Sequence, residues 1–434
     1  LQKAVRAHSP PRHKKAGGAH FSSASAASLK DGEEEHRSNR LTRRMVIGVR
    51  VRPLSSKETT KGSTSVLKVR DGNKVFAYDP DDKMGGIDYL RLDKTKDKAY
   101  QFDHAYDEGS TSKDVYEQCV RRVVTSVVEG FHGSCFAYGA TGSGKTFTML
   151  GEPEAPGVMP LAVAELFALS AEEDESTWRF GLTYVEIYNE RVKDLLNPDA
   201  KTDLEVREDA RKGTHIQGAV EVGVNSLQEI LEHMHRGSLH RTTEATNCNE
   251  VSSRSHAVLQ VSVQAVQRYG EGGGQTKRLS KLSLIDLAGS ERAYKTDNRG
   301  QRLMEGRNIN RSLLSLANCI NALADRTKRD TRHVPYRDSK LTRLLRDSLS
   351  GTSVSTMLCA VSPASDQFEE TLNTLKYANR AKMMKPPSMP ERQVHDYNRV
   401  EEQVEVLKEL KDSIVQMTKN IASPELAVRR APPP

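Results

Sequence analysis

The chain has 434 residues, 36% apolar side chains and a formal net charge of +7, which fits one large domain or two ordinary ones plus tails. No apolar run approaches the roughly 18 residues that cross a bilayer, so the composition argues against a membrane protein. Five scattered cysteines without a C-x-x-C pair argue against a disulfide framework and a zinc site and favour a cytoplasmic compartment. The positive charge favours an acidic partner, either nucleic acid or an acidic protein surface.

The first segment, residues 1–44, is rich in Ser, Ala, Gly, His and basic residues and has no apolar periodicity. It carries ten Lys or Arg residues against four Asp or Glu residues, and 10 − 4 = +6 is nearly the whole excess of the chain. We expect a disordered basic arm, with a solvated tail of no binding role as an equal alternative.

Order is predicted to begin with an alternating strand at residues 45–53. A charged insertion at residues 79–98 is expected to form an exposed loop. Apolar spacing at residues 112–130 then predicts a helix, with Ser112 as the candidate N-cap.

Residues 139–146 fit the phosphate-binding loop pattern G-x-x-x-x-G-K-[ST] without a mismatch. The predicted nucleotide contacts in this loop are Gly139, Ala140, Thr141, Gly142, Ser143, Gly144, Lys145 and Thr146. Glycines let backbone N–H groups approach a polyphosphate, Lys145 reaches the β- and γ-phosphates, and the Thr146 hydroxyl holds Mg²⁺. A short buried strand before the loop and a helix after it favour this interpretation over a Gly/Ser-rich turn.

Helices and strands alternate after the loop. The pattern predicts helices at residues 157–171 and 226–239, strands at residues 180–188, 257–266 and 279–287, a turn at residues 192–198, and a hairpin connection at residues 270–274. This order predicts one α/β domain at residues 45–382, with a sheet covered by helices on both faces.

Two further stretches can sense a γ-phosphate. Residues 249–256 place the hydroxyls of Ser252 and Ser253 around Arg254, and Ser253 could also bind Mg²⁺. The alternative for each of the two stretches is a purely structural role, as a capped helix start or a tight turn.

The second stretch, residues 285–292, places Asp286 at the end of an apolar strand, as expected of a magnesium-linked carboxylate. The Gly289 amide after it is expected to be free to bond the γ-phosphate. Glu291 and Arg254 form a candidate ion pair between the two stretches. If that pair closes only when the γ-phosphate is present, it acts as a switch.

These stretches, preceded by residues 50–53, resemble the four nucleotide-site motifs of kinesin motor domains, and the similarity covers about residues 44–385. The resemblance implies the P-loop NTPase kinesin motor fold, with a central, mostly parallel mixed sheet and helices on both faces. It also implies ATP and Mg²⁺ as ligands.

The resemblance also implies individual roles. Arg50 and Pro53 would flank the adenine, and the other nucleotide contacts would include Arg52, Phe147, Ser252 and Asp286. Mg²⁺ would be held by Thr146, Ser253 and, through water, Asp286. Gly289 and Ser253 would sense the γ-phosphate, whereas Arg254 and Glu291 would position the attacking water, with Glu291 as the proton acceptor through a second water.

Four features resemble the kinesin-eight family in particular. They are Ala140, where many kinesins have glutamine, and residues 298–302, 317–323 and 362–365.

A helix with a strong apolar stripe is predicted to begin near residue 308, and basic residues follow it. In kinesins this region faces the acidic surface of tubulin, and the matching positions are Arg311, Arg337, Lys340 and Arg343. The insertion is a candidate contact with microtubule ends through Lys94, Lys96 and Lys98. The alternatives are a solvated basic surface and a nucleic-acid site, although the basic runs lack the interleaved aromatics of single-strand binders.

Residues 371–382 resemble the last motor helix of kinesins, so residues 383–399 would be the neck linker. Because proline has no backbone donor, Pro386, Pro387 and Pro390 are expected to weaken docking of this linker as an added strand and to disfavour long-running stepping. About three heptads at residues 400–423 predict a short coiled coil, and hence a possible homodimer, or a lone helix that folds back. Residues 424–434 are expected to be a disordered tail of a truncated fragment.

The sequence therefore predicts a microtubule-stimulated Mg-ATPase that moves toward plus ends, depolymerises microtubule ends, or does both. It would bind microtubules in the cytoplasm, in a spindle or a cilium. One alternative is a tubulin-binding structural protein with little motility, and the other is a nucleic-acid-dependent ATPase.

Overall fold

The computed structural model describes residues 45–80, 98–200, 204–209, 213–243, 253–269, 274–291, 301–325, 333–384, 390, 392–397, 407, 410, 411 and 414. The predicted basic arm, the tail, Lys94, Lys96 and Ser252 lie outside these residues. So does most of the predicted neck helix, of which positions 407, 410, 411 and 414 are helical. All described residues belong to the unit Arg44–Pro434.

The strands, in chain order, are β1 (Val46–Val51), β2 (Leu67–Arg70), β3 (Lys74–Ala77), β4 (Lys98–Gln101), β5 (His104–Tyr106), β6 (Gly133–Tyr138), β7 (Gly151–Glu152), β8 (Ala155–Pro156), β9 (Ser176–Tyr188), β10 (Arg191–Asp194), β11 (Glu205–Asp209), β12 (Gly213–Gln217), β13 (Val222–Val224), β14 (His256–Tyr269), β15 (Gly274–Asp286), β16 (Val354–Val361) and β17 (Val394–Tyr397). The α-helices are α1 (Ser56–Thr60), α2 (Ser112–Val115), α3 (Arg121–Val128), α4 (Lys145–Met149), α5 (Val158–Ala171), α6 (Leu227–Thr243), α7 (Gln301–Ala324), α8 (Lys340–Leu344), α9 (Arg346–Ser350) and α10 (Phe368–Lys382).

The main sheet has the strand order β10-β9-β14-β15-β6-β16-β1-β5, with β13 beside β9 and β17 beside β15. β6, which leads into the phosphate loop, lies between β15 and β16, and both pairings are parallel. β1 is parallel to β16 and β5, whereas the strands on the β9 and β14 side pair antiparallel. The predicted mixed α/β sheet is confirmed, but four of its nine described strand pairings are parallel, so it is mixed rather than mostly parallel. The parallel pairings lie in the half that carries the phosphate loop.

Helices cover both faces of this sheet, as β6 illustrates. A Cβ on Gly133 would lie 2.7 Å or less from Val123 and Val127 of α3, so that face of β6 packs on α3. Phe136, three residues later and therefore on the opposite face, packs in the cluster that contains side chains of α7 and α10. No helix in the described ranges is long and apolar enough to span a membrane.

The helix predicted at residues 112–130 differs from the prediction in two ways. Its N-cap is Thr111, not Ser112, because Thr111 and Asp114 form a reciprocal capping box. The helix also widens into a π-helical turn at Tyr116–Val120, where the Thr356 hydroxyl donates a 2.9 Å hydrogen bond to the Cys119 carbonyl. A partner from the sheet thus holds one carbonyl of the wide turn.

The turn predicted at residues 192–198 is wrong in its first part, because β10 forms a hairpin with β9. The two central residues of this hairpin, Asn189 and Glu190, have φ of 54° and 60°, as a type I′ turn requires. Periodicity alone did not reveal a turn built without glycine.

The predicted linker does add a strand to the sheet. β17 begins after the prolines and pairs antiparallel with residues 275–278 of β15. The Gln393 N–H also donates to the Gly130 carbonyl, at 2.9 Å. The prolines therefore do not prevent this segment from adding a strand, since the ladder forms downstream of Pro390.

Candidate functional site

The phosphate loop connects the end of β6 to α4. Gly139 has a φ of 150°, and a Cβ there would lie 2.2 Å from the Ala360 carbonyl oxygen, so no other residue fits. The Lys145 side chain is buried, and its Nζ donates to the Ala140 carbonyl at 2.9 Å. Burial lowers the pKa of Lys145, whereas the nearby Asp286 carboxylate opposes that shift. In this structure the Lys145 ammonium group is therefore bonded to the phosphate loop itself, where it is predicted to bind phosphates.

Asp286 lies at the end of β15 and is 1% exposed. Its Oδ2 accepts hydrogen bonds from the Thr146 hydroxyl at 2.9 Å and from Arg241 Nη1 at 3.0 Å. Its Oδ1 is buried and has no hydrogen-bond partner among the described residues.

The donor set fits Mg²⁺. Hard cations prefer carboxylate, hydroxyl and water oxygens, and Thr146 and Asp286 bring two such groups within one hydrogen bond of each other. The unpartnered Oδ1 of Asp286 is a buried acceptor that a magnesium-bound water would satisfy.

Hydrogen bonds join the two sensor stretches to each other and the second stretch to the phosphate loop. The Gly289 amide donates to the Ser253 carbonyl at 2.8 Å, and the Ser290 amide donates to the Gly139 carbonyl at 3.1 Å. The Glu291 carboxylate accepts from the Thr141 amide at 2.8 Å and from the Thr141 hydroxyl at 2.5 Å. A Cβ on Gly289 would lie 2.2 Å from the Thr141 hydroxyl, so this approach requires glycine.

Two predicted features differ in this structure. The Gly289 amide is not free, because it donates to Ser253. Among the described ion pairs there is none between Arg254 and Glu291, and Glu291 is bonded to Thr141 instead. The Arg254–Glu291 ion pair therefore stays a prediction for another state of the loops.

The predicted adenine side contains two differently bonded arginines. Arg50 donates to the hydroxyls of Ser112 and Thr148 at 3.0 and 3.1 Å, and its guanidinium lies 5.2 Å from the Phe147 ring centroid. Phe147 is 42% exposed, which leaves its ring accessible to a base. Burial lowers the pKa of Arg50 without removing its charge.

Arg52 is bonded within the protein. Its Nε donates to the Gly142 carbonyl at 2.6 Å, its Nη2 forms a 2.5 Å ion pair with Glu58, and its Nη1 donates to the Pro53 carbonyl. Arg52 therefore supports the phosphate loop through the Gly142 carbonyl, a role that the sequence motif did not indicate. The neighbouring Pro53 is exposed.

Two further residues were not assigned a role from the sequence. Arg241 of α6 is 3% exposed and forms ion pairs with Asp286 and, at 3.9 Å, with Glu186. His256, the first residue of β14, accepts from the Ala288 amide and bonds to the Ser312 hydroxyl. The only sequence signals were a lone arginine near a helix end and a histidine closing a sensor motif.

The predicted tubulin contacts lie on adjoining elements. Arg311 is exposed on α7, which packs against α8 and the turn at Tyr336–Asp338. Arg337 in that turn lies 3.8 Å from Glu208, and Lys340 Nζ donates to the Leu204 carbonyl at 3.2 Å. Arg343 is half-buried on α8, whereas Lys98 is exposed at the start of β4, on another part of the chain.

The comparisons with known proteins agree with this geometry. The kinesin motor domain model matches residues 50–384. The chain is 45% identical over 346 residues to kinesin-like protein KIN-8B of Arabidopsis thaliana and 45% identical over 348 residues to KIF18B of Gallus gallus, with 79% of this chain covered in both cases. It is 44% identical to human KIF19 over 79% of this chain. The alignments cover 41%, 43% and 34% of those relatives, so the chain spans less than half of their length.

Solved structures show the same relationship. A KIF14 dimer with AMP-PNP in complex with a microtubule aligns with a TM-score of 0.71 and 32% identity, over 81% of this chain and 96% of that one. A fast kinesin aligns with a TM-score of 0.70 and 33% identity, over 81% and 94% of the two chains. KIN-8B, KIF18B and KIF19 are kinesin-8 members at about 45% identity, and the chain belongs to the kinesin motor-domain family.

Proposed function

We propose that this chain is a microtubule-stimulated Mg-ATPase that couples ATP hydrolysis to plus-end-directed movement, to depolymerisation of microtubule ends, or to both. The observation that carries the proposal is the meeting of two sensor loops at the phosphate loop, through Gly289–Ser253, Ser290–Gly139 and Glu291–Thr141. Loops that bond to one another beside a phosphate site can exchange those bonds for bonds to a γ-phosphate.

The phosphate loop supplies binding. Its backbone amides and Lys145 complement the negative charge of a triphosphate, and α4 begins directly at the loop. Thr146, Asp286 and Ser253 would hold Mg²⁺, which neutralises charge on the phosphate oxygens when bound. Arg50 and the exposed Phe147 ring provide a cation and a stacking surface for the base.

The sensor loops supply the readout. For the Gly289 amide to bond a γ-phosphate it must release the Ser253 carbonyl, and for Glu291 to pair with Arg254 it must release Thr141. We propose that ATP binding drives both exchanges and that phosphate release reverses them. In the exchanged state Arg254 and Glu291 position the attacking water, and Glu291 accepts its proton through a second water.

The tubulin-facing side is proposed to consist of Arg311, Arg337, Lys340 and Arg343. Basic side chains on an exposed surface accelerate association with an acidic filament and make affinity fall with salt. The lysines of the insertion, Lys94, Lys96 and Lys98, are proposed to contact microtubule ends. Replacing these three by alanine is expected to reduce end disassembly more than affinity for the lattice, and unaltered disassembly would refute this contact.

The decisive experiment images stabilised microtubules with the protein and ATP, and records sliding and shortening together. ATPase turnover is measured in parallel with microtubules, with DNA and with neither, at matched salt. We expect microtubules, but not DNA, to stimulate ATPase turnover. We also expect tighter filament binding with a non-hydrolysable ATP analogue than with ADP. Binding without nucleotide dependence or turnover would identify a structural tubulin-binding protein, and stimulation by DNA would identify a nucleic-acid-dependent ATPase.

A further inference from the structure

His256 is held between the second sensor and the helix that carries a proposed tubulin contact. The residue is 2% exposed, its Nδ1 lies 2.9 Å from the Ala288 amide nitrogen, and its Nε2 lies 2.8 Å from the Ser312 hydroxyl. Ser312 is also 2% exposed. Both bonds are therefore shielded from water. A hydrogen bond is electrostatically stronger in the protein interior than in water.

The partners fix the tautomer of the ring. A backbone N–H can only donate, so Nδ1 accepts from Ala288 and the ring proton lies on Nε2, which donates to Ser312. Burial, together with the charges of Arg241 and Lys145, lowers the pKa of His256 to about 3. The imidazole is thus neutral in the physiological range and bridges the two groups in one orientation.

The two partners belong to different functional parts. Ala288 lies between Asp286, which is bonded to Thr146 of the phosphate loop, and Gly289, whose amide is bonded to Ser253. Ser312 lies next to Arg311 on α7, with Ser312 buried against the sheet side and Arg311 exposed. A movement of the Ala288–Gly289 backbone therefore reaches α7 through one side chain and two hydrogen bonds.

We propose that His256 is a positioning residue that couples the γ-phosphate sensor to α7, so that the placement of the Arg311 side of this helix follows the state of the Gly289 loop. The inference rests on the proposed function and adds the specific link by which the nucleotide acts on filament binding. It differs from a purely structural role, in which the histidine would only satisfy two buried polar groups.

The main test replaces the acceptor on α7. Ser312→Ala removes the bond to His256 and leaves the phosphate site untouched. Ser315→Ala is the matched control, because Ser315 is buried on the same helix but its hydroxyl donates to the Arg311 carbonyl, within the helix. We expect Ser312→Ala to keep the basal ATPase rate and to lower microtubule-stimulated kcat by roughly three- to tenfold, the effect of one hydrogen bond, whereas Ser315→Ala retains stimulation.

Substitutions of the histidine separate its two bonds. In His256→Asn the side-chain oxygen can take the place of Nδ1 and accept from Ala288, but the side chain is too short to reach Ser312. In His256→Gln the amide can reach Ser312 but offers no acceptor at the Nδ1 position. Both variants are expected to lose stimulation, and His256→Asn combined with Ser312→Ala is expected to be no worse than His256→Asn alone, because the two remove the same bond.

A second readout does not depend on filaments. Hydrogen exchange of α7 is compared between ADP and a non-hydrolysable ATP analogue in the protein alone. We expect a nucleotide-dependent difference in the wild type that Ser312→Ala reduces and Ser315→Ala preserves. Equal behaviour of the two serine variants, in both stimulation and exchange, would overturn the coupling role. If the wild type is not stimulated by microtubules, the proposed function fails, and the exchange comparison still decides the link.

Discussion

Arg241 and Arg52 form ion pairs with carboxylates beside the phosphate loop, and each makes a testable contribution to the stability of the fold. The Arg241 guanidinium is 3% exposed and lies between Asp286 and Glu186, which are also buried. Breaking a buried ion pair by removing one partner costs about 3 to 5 kcal/mol, because a charge is left without compensation.

We therefore expect Arg241→Met, which keeps much of the side-chain volume, to lower the free energy of unfolding by about 3 kcal/mol. Arg236→Met on the exposed side of the same helix is the control and should change it by less than about 0.5 kcal/mol. Denaturant unfolding monitored by circular dichroism measures both. A stability loss no larger than that of the control would mean that Asp286 and Glu186 are stabilised by other groups.

Glu58 gives a pH-dependent prediction. Its ion pair and hydrogen bonds with Arg52 lower the pKa of Glu58 from 4.5 to about 2. Because the folded-state pKa lies below the unfolded one, the pair stabilises the fold fully above pH 4.5, and this contribution is lost as the pH falls from 4.5 toward 2.

Glu58→Gln should consequently remove part of the acid sensitivity of the melting temperature between pH 5 and about 2. Asp71→Asn is a suitable control, since Asp71 pairs with Lys74 at an exposed site and such pairs contribute little. If the melting temperatures of Glu58→Gln and the wild type fall in parallel over this pH range, the Glu58–Arg52 pair does not account for the acid sensitivity.

Among the secondary-structure elements, the π-helical turn at Tyr116–Val120 is hydrogen-bonded to a residue far away in the sequence. Thr356 of β16 donates to the Cys119 carbonyl from within the sheet, and its side chain is fully buried. Thr356→Val keeps the shape of the side chain but leaves that carbonyl without the donor, so we expect a loss of about 1 to 2 kcal/mol in the free energy of unfolding.

Thr356→Ser retains the hydroxyl and tests the same position without removing the bond. Its cost should come only from the lost methyl group, about 1 kcal/mol, and the exchange protection of the π-helical turn should be preserved. If the valine variant protects this turn as well as the serine variant does, the hydrogen bond does not hold the turn.

This turn also illustrates where sequence reasoning succeeds and where it stops. The spacing of Val115, Cys119, Val123 and Val127 correctly predicted an apolar helix face, because burial repeats with the helical period. The wide turn is hydrogen-bonded to Thr356 and the Thr111 cap to the Asp114 carboxylate, and periodicity contains neither contact. The phosphate loop was predictable for the opposite reason, since its function requires particular residue types at fixed positions.

The site as a whole was predictable in composition but not in its bonding. Asp286, Glu291, Ser253 and Gly289 were found because their motifs are local. The fold brings Asp286, Glu291 and Gly289 to the phosphate loop, and Ser253 is bonded to Gly289. Their partners in this structure, such as Thr141 for Glu291 and Arg241 for Asp286, lie far away in sequence. Such pairings are set by the register of β14, β15 and β6, which a single sequence does not specify.

Across the whole molecule, β17 links the end of α10 to the sheet. Its register places His395 opposite Lys277 and Asp396 opposite Thr276. The Leu279 amide donates to the Gln393 carbonyl, so hydrogen-bonded pairs fall at every second residue from position 393, which includes His395 and excludes Asp396. Pairing with β15 fixes the direction in which the chain leaves the motor domain.

His395→Pro removes a backbone donor that points at β15, whereas Asp396→Pro places the same ring at a position whose N–H points away. We expect His395→Pro to slow filament sliding by about threefold or more, the effect of a lost ladder bond, and to leave microtubule-stimulated ATPase turnover within about twofold of the wild type, since no catalytic group is touched. Asp396→Pro should slide at close to the wild-type speed. Sliding and turnover would be recorded on the same preparations, and an equal loss of both in His395→Pro would show that β17 supports the nucleotide site rather than the conversion of turnover into movement.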